Sequence, residues 1–426
     1  MSFRGSLALP LAAALSLLVC GCTSRGDDAN LVRFWAMGRE GEVVTELLPE
    51  FERTHPGIHV EVQQLPWSAA HEKLLTAFAG DSTPDLCQLG NTWISEFVAL
   101  NALASLDANT AASSIVDPRD YFAGIWDTNR VGGKLYGVPW YVDTRLIFYR
   151  RDLLARAGYA APPRSWSEWT AMLEAIKQQR IPAHYGIVLP ASEFEPLVAL
   201  ALQQNDPLLR DDGRFGNFES AGFTRALQYY VEMFRRGYAP PSTNADVSNV
   251  WNEFGRGYFT FYISGPWNIG EFERRLPRDL QQSWMTAPLP GPDGPGFSIA
   301  GGSSLVLFQK SQSKVAAWQL IEYLSQPAVQ RRFHALTGDL PPRRSTWSEG
   351  SLADDVYARA FREQLERVKP TPKVPEWERI ANEIRIVAEH VVHGELTVAQ
   401  ATQELDRRTD RILEKRRWLF SRGIAP

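Results

Sequence analysis

The 426-residue sequence predicts an α/β protein of two lobes, each a sheet flanked by helices. Three observations carry this prediction. Strand and helix patterns alternate near the start, and one long apolar segment bearing a proline suits a passage between two cores. The chain is also longer than one hydrophobic core usually organises.

Residues 1–21 read as an export signal. Arg4 precedes an apolar run, Leu7 to Val19, broken only by Pro10. That run is shorter than the roughly 20 residues a spanning helix needs. It ends in Val19-Cys20-Gly21-Cys22, which resembles a bacterial lipobox. Cleavage would leave Cys22 as an acylated N-terminus and a membrane anchor. The other reading is an ordinary secretory signal ending near Gly21. Both export the mature chain, to the periplasm or the cell surface. With Cys20 removed and Cys22 acylated, Cys87 has no intrachain partner, so the core must hold the fold.

Composition narrows the class further. With 44% hydrophobic and 22% charged residues and a net charge of −4, the chain is globular and has no basic stripe for nucleic acid. It carries 14 tryptophans, 13 tyrosines and 21 phenylalanines, and exposed aromatic faces need a cover such as a sugar ring.

After a polar tether from Ser24 to Asn30, Leu31–Trp35 reads as a buried strand. Residues 42–55 follow as a helix with Val43, Leu47, Leu48 and Phe51 on one face. Pro56-Gly57 turns into a strand, Ile58–Val62. A helix over about 69–79 and a strand over 85–89 complete a β-α-β-α-β start, hence a parallel sheet. Ligands of such sheets sit in loops beyond the carboxyl ends of strands. Lys134–Arg150 is strand-like but contains Pro139 and a central Asp143-Thr144-Arg145, the pattern of a chain crossing between lobes. Ser165-Trp166-Ser167-Glu168 is a capping box opening a helix to about Gln179. Helices over 195–204 and 220–236, strands over 257–263 and 304–308, and a helix-rich end opening a last capping box at Thr397 complete the reading.

Several fragments, in order, resemble one family. Phe51-Glu52-Arg53-Thr54-His55-Pro56-Gly57-Ile58, Lys73-Leu74-Leu75 and Pro84-Asp85-Leu86 form the first group. Gly133-Lys134-Leu135-Tyr136-Gly137-Val138-Pro139, Phe148-Tyr149-Arg150-Arg151-Asp152-Leu153-Leu154 and Pro162-Pro163-Arg164-Ser165-Trp166 follow. Gly265-Pro266-Trp267, Ala287-Pro288-Leu289-Pro290, Gly301-Gly302 and the helix Ala316–Leu324 before Pro327 close the series. Together they look like type 1 extracellular solute-binding proteins of bacterial ABC importers, most of all those for maltose, trehalose and related α-glucosides. The resemblance implies a type II periplasmic-binding-protein fold that closes about a hinge. It also implies a sugar ligand, permease subunits in the inner membrane as partners, a monomer, and neither cofactor nor enzyme activity. The N-lobe would comprise 22–140 plus about 297–345, and the C-lobe 141–296 plus about 346–426.

A sugar offers hydroxyls and C–H ring faces, so its site needs planar polar side chains and aromatic plates. Asp143 lies beside Trp140 and Tyr141 in an apolar run and needs a partner there. That partner is Arg145 on a structural reading and a sugar on the family's. Glu40 follows the first strand near a helix start, as ligand or as a solvated charge. Gln64 and Trp67 follow the second strand, and Asn91 the third. Gly90 stands where relatives often carry an acid. Glu195 heads a helix of the second lobe. Trp267 follows Gly265, where relatives for α-glucosides often place a tryptophan. It is either that plate or core. Gly302 belongs to a glycine pair that lacks the tryptophan following it in relatives. Arg343 matches an arginine that reaches the sugar in relatives, or is a loop cation.

Other chemistries have weaker support. An exported glycoside hydrolase would also need carboxylates and aromatic plates. His390 and His393 share a helix face as metal ligands would, yet also suit a helix C-terminus. The sequence has no HExxH, no P-loop and no complete nucleophile elbow.

Overall fold

The computed structural model describes residues 30–182, 184–189, 193–240 and 249–424. The export signal and Cys22 lie outside the described residues. Among those described, no helix is long and apolar enough to cross a membrane.

Nine strands build two principal sheets. They are β1 (Leu31–Met37), β2 (His59–Leu65), β3 (Leu86–Gly90), β4 (Val138–Val142), β5 (Leu146–Arg150), β6 (Tyr185–Val188), β7 (Phe259–Ser264), β8 (Trp284–Ala287) and β9 (Gly302–Leu307). The first sheet runs β2-β1-β3-β9-β4 and the second β8-β5-β7-β6. β1 pairs parallel with β2 and β3, as the β-α-β-α-β start requires. β9 returns antiparallel between β3 and β4. Each sheet has its own apolar packing. Phe34, Phe51, Trp140 and Leu320 are buried with the first, and Trp169, Phe261, Val198 and Ile384 with the second.

Helices cover both sheets. Those used below are α1 (Gly38–Val43), α2 (Trp67–Ala79), α3 (Trp166–Gln178), α4 (Glu195–Leu202), α5 (Trp267–Arg275), α6 (Pro327–Thr337), α7 (Trp377–Val392) and α8 (Val398–Ile412).

Of three expectations, two need correction. The single helix over 42–55 is two helices, Gly38–Val43 and Leu48–Thr54, joined by one 3-10 turn. Pro49 is the cause: it has no N–H to continue the first helix and sits in the opening turn of the second. The apolar stretch 134–150 passes from one sheet to the other, as its proline and central polar residues indicated. β4 lies at the edge of the first sheet, where Pro139 costs no ladder bond, and β5 lies in the second. Asp143-Thr144-Arg145 is the crossing between them. The Ser165 box is half formed. Its hydroxyl accepts from Glu168 N, but the Glu168 carboxylate accepts from Arg164 N at 2.7 Å rather than from Ser165. The box at Thr397 is complete.

Two adjacent passages between the sheets are stitched together. Asp143 N donates to Gly301 O (3.0 Å), Thr144 Oγ1 to Ile299 O (2.8 Å), and Ser298 Oγ to Arg145 O (2.6 Å). Gly301 and Gly302 permit this approach. A Cβ on either would run into backbone oxygens of Asp143 or Tyr141, and Gly302 has φ +137°.

Candidate functional site

The carboxyl ends of β1 and β3, the crossing segment, and the openings of α4 and α5 surround a cavity of about 620 Å³. A second cavity of about 1340 Å³ shares Glu40, Trp267 and Asp339 with it, so the two form one elongated groove.

Glu40 stands in the first turn of α1, not in a loop as expected. Around its carboxylate lie the Tyr141 hydroxyl, the Trp67 indole and the Asp339 carboxyl. Burial raises its pKa, while those polar contacts oppose the rise. Tyr141 is fixed from behind, its hydroxyl accepting from Gln88 Nε2 (3.0 Å) and Ser303 Oγ (3.1 Å).

Two indoles face the groove from opposite sheets. Trp67 opens α2 and is 37% exposed, and Trp267 opens α5 and is 39% exposed. Large aromatics left this open in a concave site have faces free for stacking. Trp67 is braced edge-on by Trp93, with ring centroids 5.8 Å apart. Trp93 in turn packs 4.9 Å from His71, whose Nε2 lies 2.6 Å from Glu96 Oε2.

Arg145 organises the crossing segment. Its side chain is 7% exposed and bonds Asp143 Oδ1, while its Nη2 donates to Glu195 Oε1 at 2.9 Å and to Glu193 Oε2 at 3.4 Å. The guanidinium lies 4.6 Å from the Trp267 ring centroid. Burial lowers the Arg145 pKa, but the three carboxylates outweigh it and the net shift is upward. Burial also raises the Asp143 and Glu193 carboxyls against the pull of Arg145. Asp143 bonds Arg145, as the structural reading expects, and keeps 34% of its side-chain surface open in the groove.

The groove thus brings together Glu40, Trp67, Asn91, Tyr141, Asp143, Glu195, Trp267 and Gly302. Asn91 has a structural bond as well, donating from Nδ2 to Ala300 O at 2.7 Å. Two expected residues lie elsewhere. Gln64 does not line the cavity: its Nε2 donates to Gly38 O (2.7 Å) and Glu42 Oε1 (3.3 Å) and braces α1. Arg343 is neither a groove residue nor an exposed cation. It is buried, bonding Asp120 Oδ2 (2.6 Å), Ser325 O (2.6 Å) and Ile115 O (3.0 Å). Acceptors from the 115–120 stretch and from Ser325 converge on it, and they make it a structural clamp.

Asp339 and Glu378 are lining residues the sequence did not point to. Asp339 follows the turn after α6, and Glu378 sits in the first turn of α7, with Oε1 unpartnered. Neither lies in a strand-end loop or in the crossing segment. His390 and His393 at the end of α7 pair with Glu395 and Glu389 respectively.

Two sheets, a stitched crossing and a groove between strand ends describe a solute-binding scaffold, and the sequence matches one. Residues 37–331 match the bacterial extracellular solute-binding protein family. The chain belongs to that family. It is 59% identical to the sugar-binding protein MalE from Xanthomonas citri, covering 92% of this chain and 99% of that one, with a TM-score of 0.90. The GacH receptor of Streptomyces glaucescens, solved unliganded and with acarbose, shares the fold at 23% identity and a TM-score of 0.77, over 90% of this chain and 98% of that one. The diacetylchitobiose binding protein DasA of Streptomyces coelicolor is 23% identical over 87% of this chain and 88% of its own length.

Proposed function

We propose that this protein is the extracytoplasmic substrate-binding component of an ABC sugar importer. It captures a di- or oligosaccharide of the α-glucoside class, with trehalose and maltose the leading members, and delivers it to permease subunits in the inner membrane. It acts as a monomer without catalysis, tethered through an acylated Cys22. Residues 22–140 plus about 297–345 form one lobe, and 141–296 plus about 346–426 the other.

One observation carries this reading: two open indoles from opposite sheets flank a row of carboxylates in a single groove. A sugar ring meets the indoles with its C–H faces, and its hydroxyls donate to Glu40, Asp143 and Glu195. Binding to both walls at once favours the closed form. A micromolar affinity needs only about −8.2 kcal/mol, within reach of a few charge-assisted bonds and two stacked rings after ordering costs. The 59% identity to a sugar-binding MalE supports the ligand class.

The test is a thermal-shift screen of purified protein against trehalose, maltose, sucrose, longer α-glucosides, a polyol and a glycerophosphodiester. A shift with an α-glucoside supports the proposal. A shift with the polyol or phosphodiester alone, or with none, overturns it. Release of free glucose from maltose or trehalose would show a hydrolase instead.

A further inference from the structure

The segment 411–422 runs counter to the charge of the chain. Arg411, Lys415, Arg416, Arg417 and Arg422 share it with a single acid, Glu414, in a protein whose net charge is −4. It contains a helix, α9 (Glu414–Ser421), that follows α8 directly. Leu413 and Arg416 are buried against the body, whereas Lys415, Trp418 and Arg422 are exposed. Spaced i, i+3 and i+7, these three lie on one outward face.

The cations here are not neutralised locally. In α8, Arg407 and Arg408 both pair with Glu404, and Arg408 with Glu383 as well. Lys415, Arg417 and Arg422, with Arg214 of the neighbouring 209–216 hairpin, have no carboxylate at salt-bridge distance among the described residues. Nearby acids are engaged elsewhere: Asp211 pairs with Arg210 (3.4 Å), and Asp410 Oδ1 accepts from Gly216 N (2.9 Å). Uncharged groups hold the guanidinium ions instead. Arg417 donates to Arg214 O (3.1 Å) and lies 4.9 Å from the Phe215 ring centroid, Arg214 lies 5.6 Å from that of Phe420, and Arg422 lies 5.6 Å from that of Trp418. A ring face leaves the positive charge in place. At 54% exposure Trp418 is the most open tryptophan among the described residues, and unlike Trp67 and Trp267 it lies outside the groove.

An indole beside uncompensated cations on one helix face suits a membrane–water interface, where the ring sits at headgroup depth and the cations meet lipid phosphates. We propose that the outward face of α9 rests on an anionic phospholipid surface, with Trp418 at the headgroups and Lys415, Arg417 and Arg422 on the phosphates. The choice of a bilayer over another anionic partner rests on the anchored reading above. Residues 22–30 extend at most about 30 Å, so an acylated Cys22 keeps the body beside lipid. A basic patch is the second signal that makes such anchoring stable, and it limits rotation about the tether.

The experiment is vesicle sedimentation of the chain from residue 22 carrying Cys22→Ser, which has no acyl group. The vesicles are phosphatidylcholine alone or an equal mixture with phosphatidylglycerol. Binding to the anionic vesicles should exceed binding to the neutral ones about tenfold or more, and should weaken as ionic strength rises through ~0.15 M. Lys415→Glu combined with Arg422→Glu alters two exposed side chains, so the melting temperature should hold while anionic binding falls to the neutral level. Trp418→Phe should keep most of the binding but lose part of the fluorescence quenching by brominated lipid chains. A double variant that binds like wild type, or quenching unchanged in Trp418→Phe, overturns the inference. Equal binding to both vesicle types overturns it too and assigns the face to a protein partner. Membrane fractionation of the full chain beside its Cys22→Ser variant tests the anchor by itself. If the full chain fractionates as soluble, the anchored reading fails, and the vesicle measurement still decides the patch.

Discussion

The Trp267 indole lies directly over Gly265, filling the space where any side chain at that position would begin. The glycine and the tryptophan are therefore one feature. The vacancy at Gly265 is what admits the ring to this seat.

Gly265→Ala should accordingly displace the indole and weaken sugar binding about tenfold, the worth of one stacked plate. The change should also alter intrinsic fluorescence, because Trp267 would leave its seat against Arg145. Titration and an emission scan of the same sample check both. Unchanged affinity and emission would mean that the ring has another resting place.

Asp143 and Arg145 should part company on mutation. Asp143→Ala removes a groove acceptor but leaves Arg145 paired with Glu193 and Glu195. Sugar affinity should drop by about 1.5–3 kcal/mol while the unliganded melting temperature barely moves. Arg145→Met strands three carboxylates and should destabilise the fold by about 3–5 kcal/mol. Chemical denaturation alongside calorimetry separates the two results.

Arg343→Ala should lower stability by about 3–5 kcal/mol, because Asp120 then stays part-buried without its cation. Sugar affinity should stay within about twofold of wild type. Arg343→Lys should rescue little, since an ammonium cannot span the same three acceptors. An affinity loss without a stability loss would return Arg343 to the binding site.

The His71–Glu96 bond gives a pH signature. The hydrogen bond to Glu96 raises the His71 pKa above its ordinary value of about 6.5. A raised histidine contributes stability that is complete below the unfolded pKa and is lost as pH climbs through the folded one. The unliganded melting temperature should fall across that window above about pH 6.5, and His71→Phe should flatten this part of the curve. An identical slope in the variant would assign the effect to another group.

Much of the scaffold was legible because its physics is local. A short apolar run exposed β1, alternation exposed β2, and the hydroxyl-to-amide geometry of a capping box fixed the opening at Thr397. The crossing was readable because Pro139 and Asp143 fit no central strand. Strand-end logic found Glu40, Trp67 and Asn91 on the groove wall. It failed at Asp339 and Glu378, which join the site only through tertiary placement of segments far along the chain. The family resemblance misplaced Arg343, because nothing near Leu340-Pro341-Pro342 reveals that Ile115 and Ser325 carbonyls close around the guanidinium. Gln64 had the right address, but the backbone of Gly38 is nearer to its amide than the cavity is.

The stitch between Asp143 and Gly301 has a further consequence. On the proposed sugar-binding reading, the same short piece of chain grips the solute and bears the bending. Drift that retunes which nutrient is recognised will therefore also change how quickly the jaws open, and so how fast cargo is surrendered. Selectivity and throughput in this scaffold are inherited together.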